Sequence, residues 1–217
     1  LVERRSRHVG IEEGGDLEAL LGGAEEGDAE ARRRLIGLLT TGFTGFFRHS
    51  WHFDVASEHA LWAAHRRGRA RLWSAAASTG EEPYSLAMSL LEVFRRDDPP
   101  VTILATDIDA RALELARAGE YPETALEAVD AGRRERFFAE PAAPGRRRIA
   151  AATRRLVEFR EMSLAQPVWP VEGPLDVVLC RNVLMYLEES LRRAAIERVA
   201  SLLAPDGLLF IDPAEHL

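Results

Sequence analysis

The sequence of 217 residues contains no lysine, one cysteine and one asparagine. All 28 basic residues are therefore arginine, a bias that indicates a GC-rich genome rather than a function. The single cysteine, Cys180, excludes an internal disulfide and fits a reducing compartment, so we expect a cytoplasmic protein. No apolar run approaches the ~18 residues of a membrane-spanning helix, and we expect no membrane insertion.

The balance of charge is acidic. The 35 acidic and 28 basic residues give a formal net charge of −7, which argues against a nucleic-acid-binding protein that works by neutralising phosphates. The basic clusters at residues 32–34 and 146–148 are short and interleaved with acids, as on a solvated surface. A hydrophobic content of 47% is sufficient for a buried core.

Strand-like and helix-like segments alternate from residue 68 onward. The apolar runs typical of strands are RARLWSAAA, VTILATD, PLDVVLCRN and GLLFIDP. Strands that alternate with helical patterns predict a parallel α/β sheet. Before it, LEALLGG and AEARRRLIGLL have helical spacing with glycines between them. We therefore predict a short helical N-terminal segment over residues 1–40 and a main domain over 41–217.

Residues 122–161 interrupt the alternation. A Pro/Gly turn lies there between two strand-like pieces, RRIAA and RLVEF. We expect a small β-subdomain inserted into the main domain, with an irregular crossover as the alternative.

The first strand-to-helix turn, WSAAASTGEEPY, lies where an open α/β sheet binds its ligand. A dinucleotide site needs G-x-G-x-x-G there, because pyrophosphate requires close backbone approach. This turn has one glycine, Gly80, and two acids, Glu81 and Glu82, which would repel pyrophosphate. S-adenosylmethionine fits better, because it carries a sulfonium, an ammonium and a ribose but no phosphate.

An acid also ends the second strand. Asp107 can accept hydrogen bonds from both hydroxyls of a ribose, although NAD-binding folds place an acid there too. A helix cap is the other interpretation of Asp107, but Asp109 already fills that role. We favour the ribose interpretation.

Five blocks of the sequence resemble, in order, those of a known family. They are TGFTGFFRHSWHFD, RLWSAAASTGEEPYSLAM, ILATDIDARALELARAGEY, DVVLCRNVLMYL and LLAPDGLLFIDPAEHL. They are similar to blocks of the CheR family, the chemotaxis-receptor protein-glutamate O-methyltransferases. The resemblance covers about residues 40–217. It implies a class I, Rossmann-like S-adenosylmethionine-dependent methyltransferase sheet with a small β-subdomain and a helical N-terminal domain.

The resemblance also implies the site. The positions that match the family's cofactor contacts are Thr44, Arg48, Glu82, Asp107, Ser163, Leu164, Arg181 and Asn182. Glu82 would hold the amino group of the methionine moiety, Arg48 its carboxylate and Asp107 the ribose, with Ile108 against adenine. A turn cap remains the alternative for Asn182, and an ordinary surface arginine the alternative for Arg181.

The implied chemistry needs no general base. A glutamate side chain has a pKa of ~4.3 and is already a carboxylate nucleophile at neutral pH. Methyl transfer does need in-line approach of that oxygen to the methyl group. Arg48 and Tyr186 are the candidates that orient it, and both are expected to be catalytic. The histidines at 49, 52, 59 and 65 lack the spacing of a metal site, and we expect no metal.

Three features depart from the family pattern. Ser163 stands where asparagine is common, the segment before TGFTGFFR is short, and the sequence stops at PAEHL before the last helix and strand of a complete methyltransferase sheet. Two alternatives therefore stay open. One is a methyltransferase for another protein or a small acid, and the other is a cofactor-binding regulatory or docking domain with weak catalysis.

The expected partner is the cytoplasmic domain of a methyl-accepting chemoreceptor. Some members of the family tether a receptor's C-terminal pentapeptide along an edge strand of the β-subdomain. Here AEPAAPGRRR is short, and Pro141 and Pro144 remove backbone donors, so we predict no such tether. Recognition would rest instead on the arginines at 32–34 and at 146–148, the latter in a loop.

Overall fold

The computed structural model describes residues 14–39, 44–139 and 144–212 of the chain. Its strands are β1 Ala70–Ser74, β2 Val101–Asp107, β3 Glu120–Pro122, β4 Phe138–Ala139, β5 Arg146–Ile149, β6 Val157–Glu161, β7 Leu175–Leu179 and β8 Leu203–Phe210. Its α-helices are α1 Gly14–Glu25, α2 Ala29–Leu39, α3 Trp51–Arg67, α4 Glu81–Phe94, α5 Ala110–Ala118, α6 Ala131–Phe137, α7 Ala151–Arg155 and α8 Glu189–Leu202. Short 3-10 helices cover Glu123–Leu126 and Leu184–Tyr186.

The main sheet has five parallel strands in the order β6-β2-β1-β7-β8. The predicted parallel α/β sheet is thereby confirmed. Every residue of β7 is buried, as expected for a central strand with both faces covered. From β1 the strand order runs to one edge through β2 and β6, and to the other edge through β7 and β8. A crevice therefore opens between β1 and β7 at their carboxyl ends.

Helices cover both faces of this sheet. On one face, Phe53 of α3 and Leu86 and Leu90 of α4 belong to the same buried cluster as Val177 of β7. On the other, Val199 of α8 belongs to a cluster that includes Val178. The two faces of β7 therefore support two separate apolar layers, which fix the strand in the middle of the fold.

The small β-subdomain is a three-stranded antiparallel sheet in the order β3-β5-β4. It runs from residue 120 to 149, and it differs from the predicted insertion, 122–161, at its far end. The piece RLVEF, predicted as a strand of the insertion, forms β6 in the main sheet, where Val157 pairs with Ile103. Val157 and Phe159 pack beside Ala105 and Leu113, and this apolar contact holds the strand there.

The placement of residues 146–148 also corrects an expectation. They form most of β5, the central strand of the small sheet, rather than a loop. Pro144 and Gly145 make the turn before it, and Gly145 has φ +73°. Pro141, on which part of the tether argument depended, lies outside the described residues.

The two N-terminal helices form a hairpin with its own small core of Leu20, Ala31 and Leu38. Helix α1 continues through two glycines, predicted to separate the helices, and the turn comes at Gly27, with φ +93°. The hairpin meets the main domain at α5, where Arg111 pairs with Glu30 of α2. Within the described residues, none of the helices combines the length and the apolarity needed to cross a membrane.

Candidate active site

A cavity of about 710 Å³ opens at the carboxyl ends of the main strands. Its wall includes all nine residues predicted for the site: Thr44, Arg48, Glu82, Asp107, Ser163, Leu164, Arg181, Asn182 and Tyr186. The parallel sheet explains their meeting, because strand ends that are far apart in sequence reach one edge. Ile108 also lines the cavity, and so does Gly37 of α2. The N-terminal hairpin therefore contributes to the wall.

Strained backbone is concentrated around this cavity. Among the described residues, five that are not glycine have φ between +48° and +57°. Ser78 and Asn182 line the cavity, while Phe47 and His49 flank Arg48, which lines it too. The fifth, Arg95, caps helix α4 elsewhere. Left-handed backbone costs free energy and persists where surrounding contacts enforce it, often at functional sites.

The turn that opens α4 is not a phosphate loop. Gly80 has φ +98°, and a Cβ on it would lie 2.9 Å from both Ala116 Cβ and the Tyr121 hydroxyl. The glycine is therefore required for packing against α5 and β3. Gly80 itself is not among the residues that line the cavity.

Glu82 is the acid of this turn that reaches the cavity. Its Oε1 accepts a hydrogen bond from Ser74 Oγ at 2.9 Å, and its Oε2 accepts one from Arg181 Nη1 at 2.8 Å. Burial raises the pKa of Glu82, while Arg181, Ser74 and Arg48 act in the opposite direction. A carboxylate with each oxygen already oriented in this way can still accept further hydrogen bonds, because two oxygens offer about four acceptor positions.

Glu81, the other acid of the turn, does not line the cavity. Its Oε2 accepts a hydrogen bond from Thr79 Oγ1 at 2.6 Å. Burial raises its pKa, and the Thr79 hydrogen bond opposes that shift. The residues alone do not tell the two neighbouring acids apart, and only the family resemblance assigned the site position to Glu82. Helix geometry decides which of them faces the cavity.

Asp107 holds the loop that follows β1. Its Oδ2 accepts a hydrogen bond from the Ser78 backbone N–H at 2.7 Å, and its Oδ1 accepts one from the Asp109 N–H at 2.9 Å. Burial raises the pKa of Asp107, and these backbone donors partly offset the rise. The separate helix cap is Asp109, whose side chain accepts from the Arg111 and Ala112 N–H groups of α5.

Arg48 lies in a short segment that is held by hydrogen bonds to α4 and to a residue that follows β7. The Phe47 N–H donates to Ser85 Oγ at 2.9 Å, and the Arg48 carbonyl oxygen accepts a hydrogen bond from Arg181 Nη2 at 2.9 Å. Arg181 itself is buried, and its guanidinium connects Glu82 with this segment. Tyr186, in contrast, is 57% exposed at the mouth of the cavity.

The loop after β6 supplies two more of the predicted residues. Ser163 Oγ accepts a hydrogen bond from the Ala165 N–H at 3.2 Å, and Leu164 is buried. Asn182, after β7, donates from Nδ2 to Asp212 Oδ2 at 2.7 Å. Sequence reasoning missed Asp212. Its place directly after the last strand was a signal that could have found it, because ligand-binding side chains collect at the carboxyl ends of parallel strands.

The residues present fit S-adenosylmethionine. Glu82 and Asp107 line the cavity and could accept hydrogen bonds from an amino group and from ribose hydroxyls, and Arg48 could pair with a carboxylate. Ile108, Met162 and other apolar side chains line the same cavity and suit an adenine ring. Among the described residues, no three His, Cys, Asp or Glu side chains come together as a metal site.

Comparisons with known proteins agree with this geometry. Residues 42–217 match the family described as "CheR methyltransferase, SAM binding domain". The chain is 42% identical over 183 residues to "Chemotaxis protein methyltransferase 2" of Pseudomonas aeruginosa, covering 83% of this chain and 65% of that protein. It is 41% identical to "Probable chemotaxis protein methyltransferase" of Rhizobium etli, covering 89% of this chain and 75% of that one.

A third relative is matched over nearly the whole chain. It is "Chemotaxis protein methyltransferase" of Salmonella typhimurium, 37% identical over 215 residues, which are 98% of this chain and 73% of that protein. The chain thus spans about three quarters of the length of the Rhizobium and Salmonella proteins. It spans slightly less than two thirds of the Pseudomonas protein. The match over residues 42–217 shows that the chain belongs to the CheR methyltransferase family, with S-adenosylmethionine as its cofactor.

Proposed function

We propose that this chain transfers a methyl group from S-adenosylmethionine to glutamate side chains in the cytoplasmic domain of a chemoreceptor, leaving S-adenosylhomocysteine. The observation that carries the proposal is the meeting, at one cavity, of the nine residues that the family resemblance singles out. The names of the relatives, chemotaxis protein methyltransferases, support methyl transfer in chemotaxis, and a receptor is the substrate that the family resemblance implies.

The cofactor, when bound, supplies a methyl group on a positively charged sulfur. Glu82 accepts hydrogen bonds from the amino group, and Asp107 accepts them from the ribose. Both carboxyl groups are partly buried, and both are oriented by protein donors before any ligand arrives. This preorganisation lowers the ordering cost of binding.

The substrate carboxylate is ionised at neutral pH and attacks without a base. Arg48 orients the reacting carboxylate. Tyr186, at the exposed mouth of the cavity where a protein substrate would enter, donates a hydrogen bond from its hydroxyl to the same carboxylate. The substrate's negative charge disappears as the ester forms, so an arginine that held it too strongly would slow the reaction. Arg48 therefore acts by orientation.

We propose that recognition does not use a C-terminal pentapeptide. The small sheet has short outer strands, and β3 ends in Pro122, which cannot donate to an added strand. The arginines of β5 are engaged within the subdomain: Arg147 pairs with Glu123 and Arg148 with Glu120. The exposed arginines of α2 are therefore the better candidates for contact with an acidic receptor helix.

The test is transfer of tritiated methyl from S-adenosylmethionine to purified receptor cytoplasmic domains by the 217-residue chain. A carboxyl methyl ester is base-labile and releases labelled methanol in alkali, whereas methyl groups on nitrogen remain bound. The matched control is the same receptor with its methyl-accepting glutamates replaced by glutamine, which should take up no label. Base-stable label, or label in the glutamine receptor, would contradict the proposal.

Two other outcomes correspond to the alternatives. Labelling of a small acid or an unrelated protein in preference to the receptor would indicate a different substrate on the same scaffold. Tight cofactor binding with no transfer to any receptor domain would indicate a regulatory or docking module.

A further inference from the structure

A buried carboxylate that the proposed reaction does not use lies beside Asn182. Asp212 follows β8 and is 7% exposed, and Asn182 follows β7. Leu179 pairs with Phe210 at the ends of these parallel strands, which brings the residues beyond them to the same edge. Asn182 Nδ2 donates to Asp212 Oδ2 at 2.7 Å across this edge.

This hydrogen bond decides which way the Asn182 amide faces. An ionised carboxylate only accepts hydrogen bonds, so the NH₂ branch of the amide, and not its oxygen, must be turned toward Asp212. The amide group is planar, and its oxygen therefore points away from Asp212. Asn182 forms part of the cavity wall.

The backbone of Asn182 fixes the amide from its other end. With φ +57°, it has the left-handed conformation that asparagine tolerates better than most side chains. A constrained backbone and an anchored amide nitrogen together leave the side chain little freedom to rotate.

We infer that Asp212 is a positioning residue for Asn182, holding the amide so that its oxygen is the atom offered to a donor group of the ligand. The inference deepens the proposed function and rests on it. It adds Asn182 to Glu82 and Asp107 as a third acceptor, a set matched to a ligand with amino and hydroxyl groups and not to one with phosphates.

His49 offers a competing explanation for Asp212. Its Nε2 lies 3.8 Å from the same Oδ2, but the His49 side chain is 46% exposed. If Asp212 served mainly to hold His49, then His49→Gln would reproduce the loss seen in Asp212→Ala. If Asp212 acts through Asn182, His49→Gln should bind ligand as the wild type does.

A double-mutant cycle tests the coupling directly. Binding of S-adenosylhomocysteine is measured by calorimetry for the wild type, Asp212→Ala, Asn182→Ala and the double variant. We expect each single change to weaken binding about 10-fold, as for loss of one oriented hydrogen bond, and the double variant to bind no more weakly than Asn182→Ala. Independent losses that multiply to about 100-fold, or no loss in Asp212→Ala, would overturn the inference.

An exchanged pair tests the orientation and guards against a folding defect in the single variants. Asn182→Asp places two carboxylates together and should bind the ligand poorly. Adding Asp212→Asn restores the hydrogen bond with donor and acceptor reversed, and again leaves an acceptor oxygen toward the cavity. Affinity should recover relative to Asn182→Asp alone, and an exchanged pair that binds no better would refute the role of Asp212.

Thermal unfolding of all variants, without ligand, separates stability from binding. A loss of affinity that only follows the unfolding midpoint across the series would also contradict positioning. Binding measurements on the wild type separate the proposed function from the role of Asp212. No affinity for either S-adenosylmethionine or S-adenosylhomocysteine in the wild type would refute the proposed function, whereas wild-type affinity with uncoupled variants would refute only the role of Asp212.

Discussion

Arg181 joins two parts of the site through one buried guanidinium. Its Nη1 donates to Glu82 Oε2 at 2.8 Å, and its Nη2 donates to the Arg48 carbonyl oxygen at 2.9 Å. The Arg181 side chain is 1% exposed, and the guanidinium carbon lies 5.9 Å from the centre of the Phe53 ring. An arginine in these contacts orients the residues around it, whether or not it also touches the cofactor.

Removing Arg181 should damage both folding and binding. In Arg181→Met, the largely buried Glu82, whose side chain is 13% exposed, loses its cation. The pKa of Glu82 then rises further because burial is less opposed. Breaking a buried ion pair from one side costs roughly 3–5 kcal/mol. We expect a loss of that order in urea unfolding.

The control for Arg181 removes both charges. Arg181→Met combined with Glu82→Gln removes both charges of this pair. The double variant should therefore be more stable than Arg181→Met alone, while still binding S-adenosylhomocysteine weakly. Equal stability of the single and double variants would show that the ion pair does not matter for folding.

Replacing Gly80, in the turn that opens α4, should destabilise the protein. Gly80→Ala forces φ +98° on alanine and brings its Cβ to 2.9 Å from Ala116 Cβ. Left-handed backbone costs ~1–2 kcal/mol, and overpacking typically adds ~1–3 kcal/mol. The matched control is Gly145→Ala, with φ +73° but nothing within 4 Å of the added Cβ. Gly80→Ala should unfold at distinctly lower denaturant concentration, and equal losses at the two positions would contradict the packing role.

Glu81 should make the protein less stable as the pH rises. Burial raises its pKa in the folded state above the 4.5 of the unfolded chain. Below the unfolded value both states are protonated and the folded state bears no cost. As the pH rises through the folded value, the folded state must bury a charge that the unfolded state exposes to water, so stability falls.

Glu81→Gln removes this cost and keeps an acceptor for Thr79. The variant should be more stable than the wild type at neutral pH, and the difference should shrink toward zero below about pH 4.5. The control is Glu58→Gln, which removes a carboxyl group from the exposed surface of α3 rather than a buried one. Urea unfolding from pH 4 to 8 measures both, and a stability difference that grew on acidification would have the wrong sign.

The sequence predicted the main sheet well because its central strands are apolar runs bounded by turns. It misplaced RLVEF because β6 is an edge strand with charged alternate residues, and such a pattern fits a small antiparallel sheet equally well. It also placed a break at Gly22 and Gly23, through which α1 continues. Contacts of Leu20 with the second helix outweigh the low helix propensity of glycine there.

The sequence predicted which residues line the candidate site, but not the hydrogen bonds and ion pairs between them. Residues at the carboxyl ends of β1, β2, β6 and β7 follow from the α/β pattern and the family resemblance. The Arg181–Glu82 pair, which spans 99 positions of sequence, depends on the packing of α4 against the sheet. The Asn182–Asp212 contact depends on the register of β7 with β8. Neither leaves a local signature.

Arg48 and Tyr186 can be separated from cofactor binding by their kinetics. Arg48→Ala should reduce methyl transfer on the order of 100-fold at saturating cofactor, because the acceptor oxygen loses its alignment. Tyr186→Phe removes one hydroxyl and should give a smaller defect. Single-turnover transfer of labelled methyl measures both, and full activity of Arg48→Ala under saturation would refute its orienting role.

Recognition of the receptor should depend on the exposed arginines of α2. Arg32 and Arg33 are exposed on α2, the helix whose Gly37 lines the cavity. Arg33 pairs with Glu30 at 3.5 Å, but both side chains are more than half exposed, and such a pair contributes little. Both arginines therefore retain charge for an acidic partner.

Reversing these two charges should raise the KM for receptor by roughly threefold or more at low salt, and leave the affinity for S-adenosylhomocysteine unchanged. The difference from the wild type should shrink as salt rises, because surface charges are screened over about 10 Å at 0.1 M. Arg96→Glu is the control, since it follows the far end of α4, roughly 21 Å along the helix from Glu82. Initial rates of methylation at two salt concentrations measure the effect. Rates indifferent to salt and to the reversal, together with saturable micromolar binding of a receptor tail peptide, would instead establish a tethered mode of recognition.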